Sequence, residues 1–496
     1  MKKEVKIFSM MIFLLMLGLL VNTPVFSQVK TLTFEQALEM SLKNSHIIKQ
    51  SDYLQKEREQ EVKAAKGLYF PKIGITAEYV NMSDDIHLDL SPVRDAITPL
   101  YSTLSKYGNF SITGVPDAMA TPMIRKGLLQ GLQSVNSAEW DQTIQKKQFG
   151  TVAATFEWPL YTGGKIKAAN KAAKIQLGEA KENTRQKQGE LMSELVERYY
   201  GLCLAKQVEK VRLDVYNGME KHLHDALKME KEGLIANADV LNVRVHRSEA
   251  ERELSKSHRT ADILNKALLN TLAIDDSTSI QPVSLQFYMD SIEPVDYFMN
   301  LATKNSPLLA QIESKKELTQ QGYKVEKSNY FPTVGVMGAY NIADKDLSPY
   351  MPDWMVSVGL KWTVFDGISR TRKVKSASLK TEQVKEYQEK AKSDIETMID
   401  KLYHELNMYK EQLSELDTAR SYSQEYLRVR EKSFHEEMTN STDVVDARLA
   451  LSKILIERLN VIYNYDLTLA HLLEYAGVPE KFTEYQKRKG VKTENY

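Results

Sequence analysis

Asp443 and Asp446, in the stretch TDVVDAR, are two acidic residues of this 496-residue chain whose type could do electrostatic work. Three positions apart, they share one face of a helix, where two carboxylates can gather cations. A plainer role competes for the first of them. Asp443 stands where a helix N-cap belongs, since a side-chain oxygen there accepts a bond from a free backbone N–H, and Asp239 occupies the matching place in the first half of the chain. Catalytic constellations are harder to assemble. His222 and His224 lie two apart within a helical stretch and so point in different directions. His404-Glu405 and His435-Glu436 each lack the second histidine of a zinc-protease helix. The histidines therefore read as solvated helix-face residues, and nucleophile and phosphate-loop signatures are missing. We expect no catalytic, cofactor or metal site, and catalysis is the disfavoured class of function.

The elements that hold these residues are duplicated. Tyr69–Tyr79 (YFPKIGITAEY) returns as Tyr330–Tyr340 (YFPTVGVMGAY) at an offset of 261, and the match extends upstream to Asn44-Ser45 and Asn305-Ser306. Phe156–Gly163 (FEWPLYTG) returns as Leu360–Gly367 (LKWTVFDG) at an offset of 204, which also superposes Asp239-Val240 on Asp443-Val444. The chain is thus two tandem copies of one unit, residues 28–292 and 293–478, followed by a polar tail over 479–496. The change of offset from 261 to 204 leaves 57 extra residues in the first copy, within 81–150.

Ahead of the repeats, Lys2, Lys3 and Lys6 precede an apolar run from Ile7 to Val21, with Pro24 and Ser27 after it. A basic start, a short apolar middle and a small residue read as a cleaved secretory signal over 1–27. Lys and Arg number 66 and so do Asp and Glu, and this balance gives no support to nucleic-acid binding. Cys203 is the single cysteine, so an exported chain would be held by packing alone.

Four segments alternate with period two and carry one apolar face: 72–79, 151–160, 334–340 and 356–364. Aromatic residues gather near the strand ends, namely Tyr69, Phe70, Trp158, Tyr161, Phe331, Trp362 and Phe365, as an interfacial belt of a membrane barrel would require. An ordinary sheet packed on a core gives the same alternation. Nearly everything else reads as helix: 34–66 and 295–328 before the first strand of each copy, 166–231 and 370–436 after the second. Each long helix turns at a short break, 233–238 or 438–442, and returns as 239–272 or 443–476. The last of these carries two apolar series, one through Val445, Leu449, Ser452, Ile456, Leu459 and Tyr463, the other through Val444, Ala447, Leu451 and Ile454 until Arg458 interrupts it. Two adjacent seams fit a helix with neighbours on both sides.

In their order and duplication, the paired YFP strand starts, the WPLYTGG and WTVFDG motifs and the turns GLIANADV and MTNSTDVVDA resemble the outer membrane efflux protein family, the TolC-like channels, over about Leu32 to Val478. The resemblance implies a mainly α fold with a small β part. It implies three chains that contribute four strands each to a twelve-stranded outer-membrane barrel, continued by a long α-helical periplasmic barrel. It implies a passive exit duct of a Gram-negative tripartite efflux or type I secretion system. The partners it implies are a periplasmic adaptor, an inner-membrane RND or ABC-type pump and outer-membrane lipid. It also implies a periplasmic gate at the helical turns, ringed by Asp443 and Asp446. Phe434 takes the place of a gate tyrosine, Thr439 that of an arginine, and Asp239 that of the tyrosine's acidic partner, here without either donor. Packing of Phe434 and Leu234 is then left to hold the closed state. The alternative is a non-channel periplasmic coiled-coil scaffold or adhesin.

The extra residues of the first copy fall at the outer mouth in this arrangement. Val93, Ile97, Leu100 and Leu104 have helical spacing, and Met123, Leu128, Leu129 and Leu132 suggest a second short helix, which together favour a partial cap. Deleting Asp84–Gln142 should leave an assembled protein with raised single-channel conductance; loss of the assembly would mark the insertion as structural instead.

Overall fold

The computed structural model describes residues 29–274 and 278–493, so the expected leader lies outside the described residues. In chain order the first copy runs β1 (Val29–Leu32), α1 (Phe34–Asn44), α2 (His46–Gly67), β2 (Lys72–Asn81), β3 (Ile86–Asp89), α3 (Ser91–Tyr107), α4 (Asp117–Ser137), β4 (Asp141–Gln145), β5 (Gln148–Tyr161), α5 (Lys165–Lys231) and α6 (Asn237–Leu272). After β6 (Ser279–Pro282) and β7 (Phe287–Met289), the second copy runs α7 (Val295–Asn305), α8 (Pro307–Ser328), β8 (Thr333–Lys345), β9 (Trp354–Lys361), α9 (Ser369–His435) and α10 (Ser441–Tyr475). The chain closes with α11 (Lys481–Gln486) and β10 (Val491–Thr493).

Two expected boundaries move. The single helices expected over 34–66 and 295–328 are each broken in two, at Ser45 and Ser306. Both serines leave the helical region (ψ 126° and 117°) and turn their hydroxyls to the next helix, toward Ile48 N and Leu309 N. The repeated Asn-Ser is therefore a double cap, and Pro307 after the second serine excludes helical geometry there. The fourth strand ends at Lys361, so Val364 lies beyond it.

The copies are not the compact units. One unit gathers residues 29–62, 172–320 and 378–493; the other gathers 63–171 and 321–377. The first is helical and has the larger core. Phe34, Tyr199, Tyr200, Phe287 and Phe482 form a chain of rings with neighbouring centroids 5.2–6.1 Å apart. The Tyr199 hydroxyl donates to Leu32 O at 2.7 Å and accepts from Val283 N and Ser284 N, and so fastens the parallel β1–β6 pair to α5. Residues 479–493 of the expected polar tail are packed into the fold. Phe482 and Tyr485 are fully buried, and β10 pairs with β7. Arg458, which interrupts the second apolar series of α10, is buried too, its Nε 2.7 Å from Asp417.

The second unit holds a four-stranded antiparallel sheet in the order β2-β5-β8-β9. β3 and β4 pair separately at the base of the insertion and carry the helical hairpin α3–α4. Both insertion helices were legible; the ladder beneath them was not.

Asp466 lies at the centre of the helical core, fully buried, with Oδ2 accepting from Phe287 N at 3.2 Å and Oδ1 without a donor. Burial pushes its carboxyl well above the usual carboxylate range, outweighing the Phe287 amide, which favours the charge. The unfolded chain ionises this group above about pH 4 while the folded chain holds it neutral. Its stabilising contribution is therefore full below that pH and is lost as pH rises toward the folded value, by up to about 1.4 kcal/mol per pH unit. Asp466→Asn should unfold at a higher temperature than the parent at pH 8 and at the same temperature at pH 4; equal melting at both would show that the carboxyl is ionised in the fold.

Candidate functional site

Two places carry the residues singled out in the sequence: the sheet, and the turn between α9 and α10. Cross-strand register fixes the faces of the sheet. Ile73 stands opposite Phe156, Phe156 opposite Gly338 and Gly338 opposite Val356; Trp158, Val336 and Val358 form a second row. This apolar face has no core beneath it. Ile73 is 80% exposed and Val358 71%, so the alternation does not reflect an ordinary sheet packed on a core. The other face is mainly polar, with Lys72 opposite Glu157 and Glu78 opposite Thr151. A Cβ on Gly338 would lie 2.1 Å from the Phe156 ring, so the glycine makes room for the aromatic beside it.

All seven expected belt residues, Tyr69, Phe70, Trp158, Tyr161, Phe331, Trp362 and Phe365, lie exposed at one end of the sheet, where the strands join helices. The repeat preserves a bond there. Trp158 Nε1 donates to Tyr69 O at 2.9 Å, and Trp362 Nε1 donates to Tyr330 O at 3.1 Å. The sequence reading missed a second group at the opposite end: Tyr79, Tyr340 and Trp354, with Tyr340 opposite Trp354. Trp354 and Trp362 are eight residues apart, about 27 Å along a strand. A tilt of 35–45° reduces that to a height of about 21 Å, near the ~25 Å apolar band of a membrane barrel.

At the helical turn the expected capping roles change. The N-caps are Ala236 and Asn440, and both aspartates stand three residues further on. Asp239 Oδ2 accepts from Ala236 N at 3.2 Å, so it has a backbone donor of its own. Asn440 Oδ1 accepts from Asp443 N at 2.9 Å, which frees the Asp443 carboxylate. That carboxylate takes a hydrogen bond from Thr439 Oγ1, and Arg430 Nη1 reaches it at 3.3 Å and Thr439 Oγ1 at 3.2 Å. Thr439 thus has an arginine beside it, and Arg430 is stacked over the Tyr426 ring. Asp446 is exposed and has no bonded partner among the described residues.

Phe434 is 2% exposed and packs edge-on against the His222 ring, centroids 4.7 Å apart, while Leu234 is exposed. His222 is buried, contrary to the expectation of a solvated helix face, and its Nε2 lies 2.7 Å from Ser441 Oγ. Burial lowers its pKa, which keeps the ring neutral in the fold. A further tie joins the copies at Asn242 Nδ2–Thr442 Oγ1, 3.1 Å. Arg430 and Ser441 were not singled out in the sequence and His222 was read as solvated, since each acts through a partner 13 or more positions away.

Residues 298–478 match the outer membrane efflux protein family. No curated relative matches the chain by sequence. Among solved structures, the chain is similar to the outer membrane protein VceC of Vibrio cholerae, with 13% identity, 90% of this chain and 96% of that one covered, and a TM-score of 0.66. It is also similar to the CmeC outer membrane channel of Campylobacter jejuni, with 11% identity, 92% and 89% covered, TM-score 0.68. The open-state MtrE outer membrane channel of Neisseria gonorrhoeae gives 11% identity, 90% and 89% covered, TM-score 0.65. The fold is that of these TolC-like channels.

The turn separates a buried tie from an exposed one. His222→Ala loses the Ser441 bond and the Phe434 contact and should cost about 1–3 kcal/mol, whereas Arg430→Ala, at a half-exposed ion pair, should cost under about 1 kcal/mol. Hydrogen exchange over 434–446 in the full chain reads both; equal protection in the two variants would put the stability of the turn elsewhere.

Proposed function

We propose that this chain, whose residues 298–478 match the outer membrane efflux protein family, is the passive outer-membrane exit duct of a tripartite efflux or type I secretion system. The observation that carries the proposal is a contact made once and needed twice. Between the copies β5 pairs with β8, and Gly163 presses against the end of α8, where an added Cβ would meet Ser328 O at 2.6 Å. The repeat offsets map this contact onto β9 with β2, and onto Gly367 with Gly67. Within the chain β9 and β2 are the two open edges of the sheet, and a Cβ added at Gly367 or at Gly67 would meet nothing within 4 Å. A second copy of the chain supplies what each lacks.

Because β9 and β2 are antiparallel, copies add edge to edge without breaking the alternation, and a closed ring leaves no edge in the membrane. Three copies, the number the family resemblance implies, give twelve strands. The exposed apolar face then meets lipid between the two aromatic groups, and the seven belt residues lie at the periplasmic interface. A soluble scaffold or adhesin would leave that face in water. Energy and cargo choice fall to an inner-membrane pump and a periplasmic adaptor. At the periplasmic gate we assign Asp446 the cation-attracting ring, with Asp443 a weaker partner because Arg430 neutralises it. Phe434, Asp239 and Thr439 support the gate by fixing the turn.

The offsets predict the register between copies: Val358 opposite Tyr79, as Ala154 stands opposite Tyr340. Val358→Cys with Tyr79→Cys should form a disulfide ladder up to the trimer in outer-membrane fractions, while Val358→Cys with Ile75→Cys should not. A protein recovered from the periplasm without detergent, with no ladder, would sink the duct. Asp446→Asn should weaken block by trivalent cations from the periplasmic side by several-fold, and Asp443→Asn by less; unchanged block in the double variant would remove both from the gate.

A further inference from the structure

The chain's charges balance overall, but they are not evenly spread. The helix ends next to the aromatic belt are residues 63–68, 165–171, 321–328 and 369–377. They hold two, three, two and four basic residues, eleven in all, against one acidic residue, Glu326. Some of these form a cleft of about 290 Å³ between the start of α5 and the end of α8, lined by Lys167, Lys171, Lys324 and Lys327 together with Gly163, Gly164 and Phe331. Several lysines elsewhere on the long helices pair with acids one turn away, as Lys385 does with Glu382 and Lys187 with Glu190. The four in the cleft have no ion pair or side-chain hydrogen bond among the described residues.

Three features separate this cleft from an ordinary solvated face. Gly163 and Gly164, both at positive φ, turn the chain into the first turn of α5, which has no acidic residue, so its unpaired amides add to the positive field. Gln321, only 6% exposed, lines the cleft with an Oε1 that no donor meets. Phe331, from the belt itself, forms one wall, which sets the cleft at the level where lipid headgroups begin.

We infer that this cleft binds the headgroup of an anionic phospholipid from the periplasmic leaflet, an inference that rests on the outer-membrane reading above. The lysines take the phosphate, and Gln321 accepts a bond from a headgroup hydroxyl, which a phosphatidylglycerol carries and a phosphatidylcholine does not. Phe331 meets the top of the acyl chains. Such a lipid lies against the junction of the two copies, where β5 meets β8, and fastens it from outside.

The test is native mass spectrometry of the detergent-purified full chain in phosphate-free buffer, titrated with phosphatidylglycerol or phosphatidylcholine. The parent should retain phosphatidylglycerol roughly tenfold better. Replacing the four lysines together with Gln should reduce retention to the phosphatidylcholine level, and replacing them with Arg should keep it. If the fourfold Gln variant fails to assemble, Lys167→Gln with Lys324→Gln is read by the same criterion. Equal retention of both lipids by the parent, or undiminished phosphatidylglycerol in the Gln variant, overturns the site. Displacement of the lipid by inorganic phosphate alone makes it a free-anion site and overturns the lipid assignment. Recovery without detergent would instead defeat the membrane reading itself.

Discussion

The edge of a β-sheet is a row of backbone amides and carbonyls, and hydrocarbon offers them no partner. This chain builds a sheet of four strands with two such edges, β2 and β9, and an apolar face that nothing in the chain covers. Among the described residues no helix is long and apolar enough to cross a membrane. In the proposed duct both features are met at once, by repetition of the sheet until it closes. The fold can be read as an arrangement that makes repetition possible: an even number of strands per copy, antiparallel outer strands, and helices leaving all four strands from the same end.

Duplication supplies the geometry for closure. Two copies in one chain already form one junction of the kind the proposed ring needs, and that junction displays its own specification. Gly163 accepts the α8 carbonyl end, Gly338 yields space to Phe156, and each copy's tryptophan caps the carbonyl of its own YFP tyrosine. The bonds inside a copy are repeated in both. The contacts between copies are made once and left open once.

The other end of the second copy handles charge in a similar way. Asp443 and Asp446 sit on one helix face, yet Arg430 and Thr439 engage the first and leave the second in solvent. A ring built from this turn would present one free carboxylate per chain. Beneath it, Phe434, His222 and Ser441 form a small buried lock between α9, α5 and α10. That lock joins the copies by packing and one hydrogen bond, beside the exposed Asn242–Thr442 tie.

The duplication, the four strands, the long helices and the aromatic residues at one strand end were legible in the sequence, because each rests on local periodicity or on comparison of the chain with itself. The double cap at Asn-Ser was present in the repeated motif as well, though its meaning needed backbone angles. What only the tertiary structure decided depends on distance in sequence. Arg430 finds Asp443 across a turn, and Tyr199 fastens β1 to β6 through backbone groups more than 80 positions away. Phe482 and Tyr485 complete a core begun at Phe34, and this makes a polar-looking tail part of the fold. Lys167 and Lys327, ordinary helix lysines in the sequence, acquire a shared cleft only because α5 and α8 are brought together. Periodicity records which face of an element is apolar; it carries no record of which other element will cover that face.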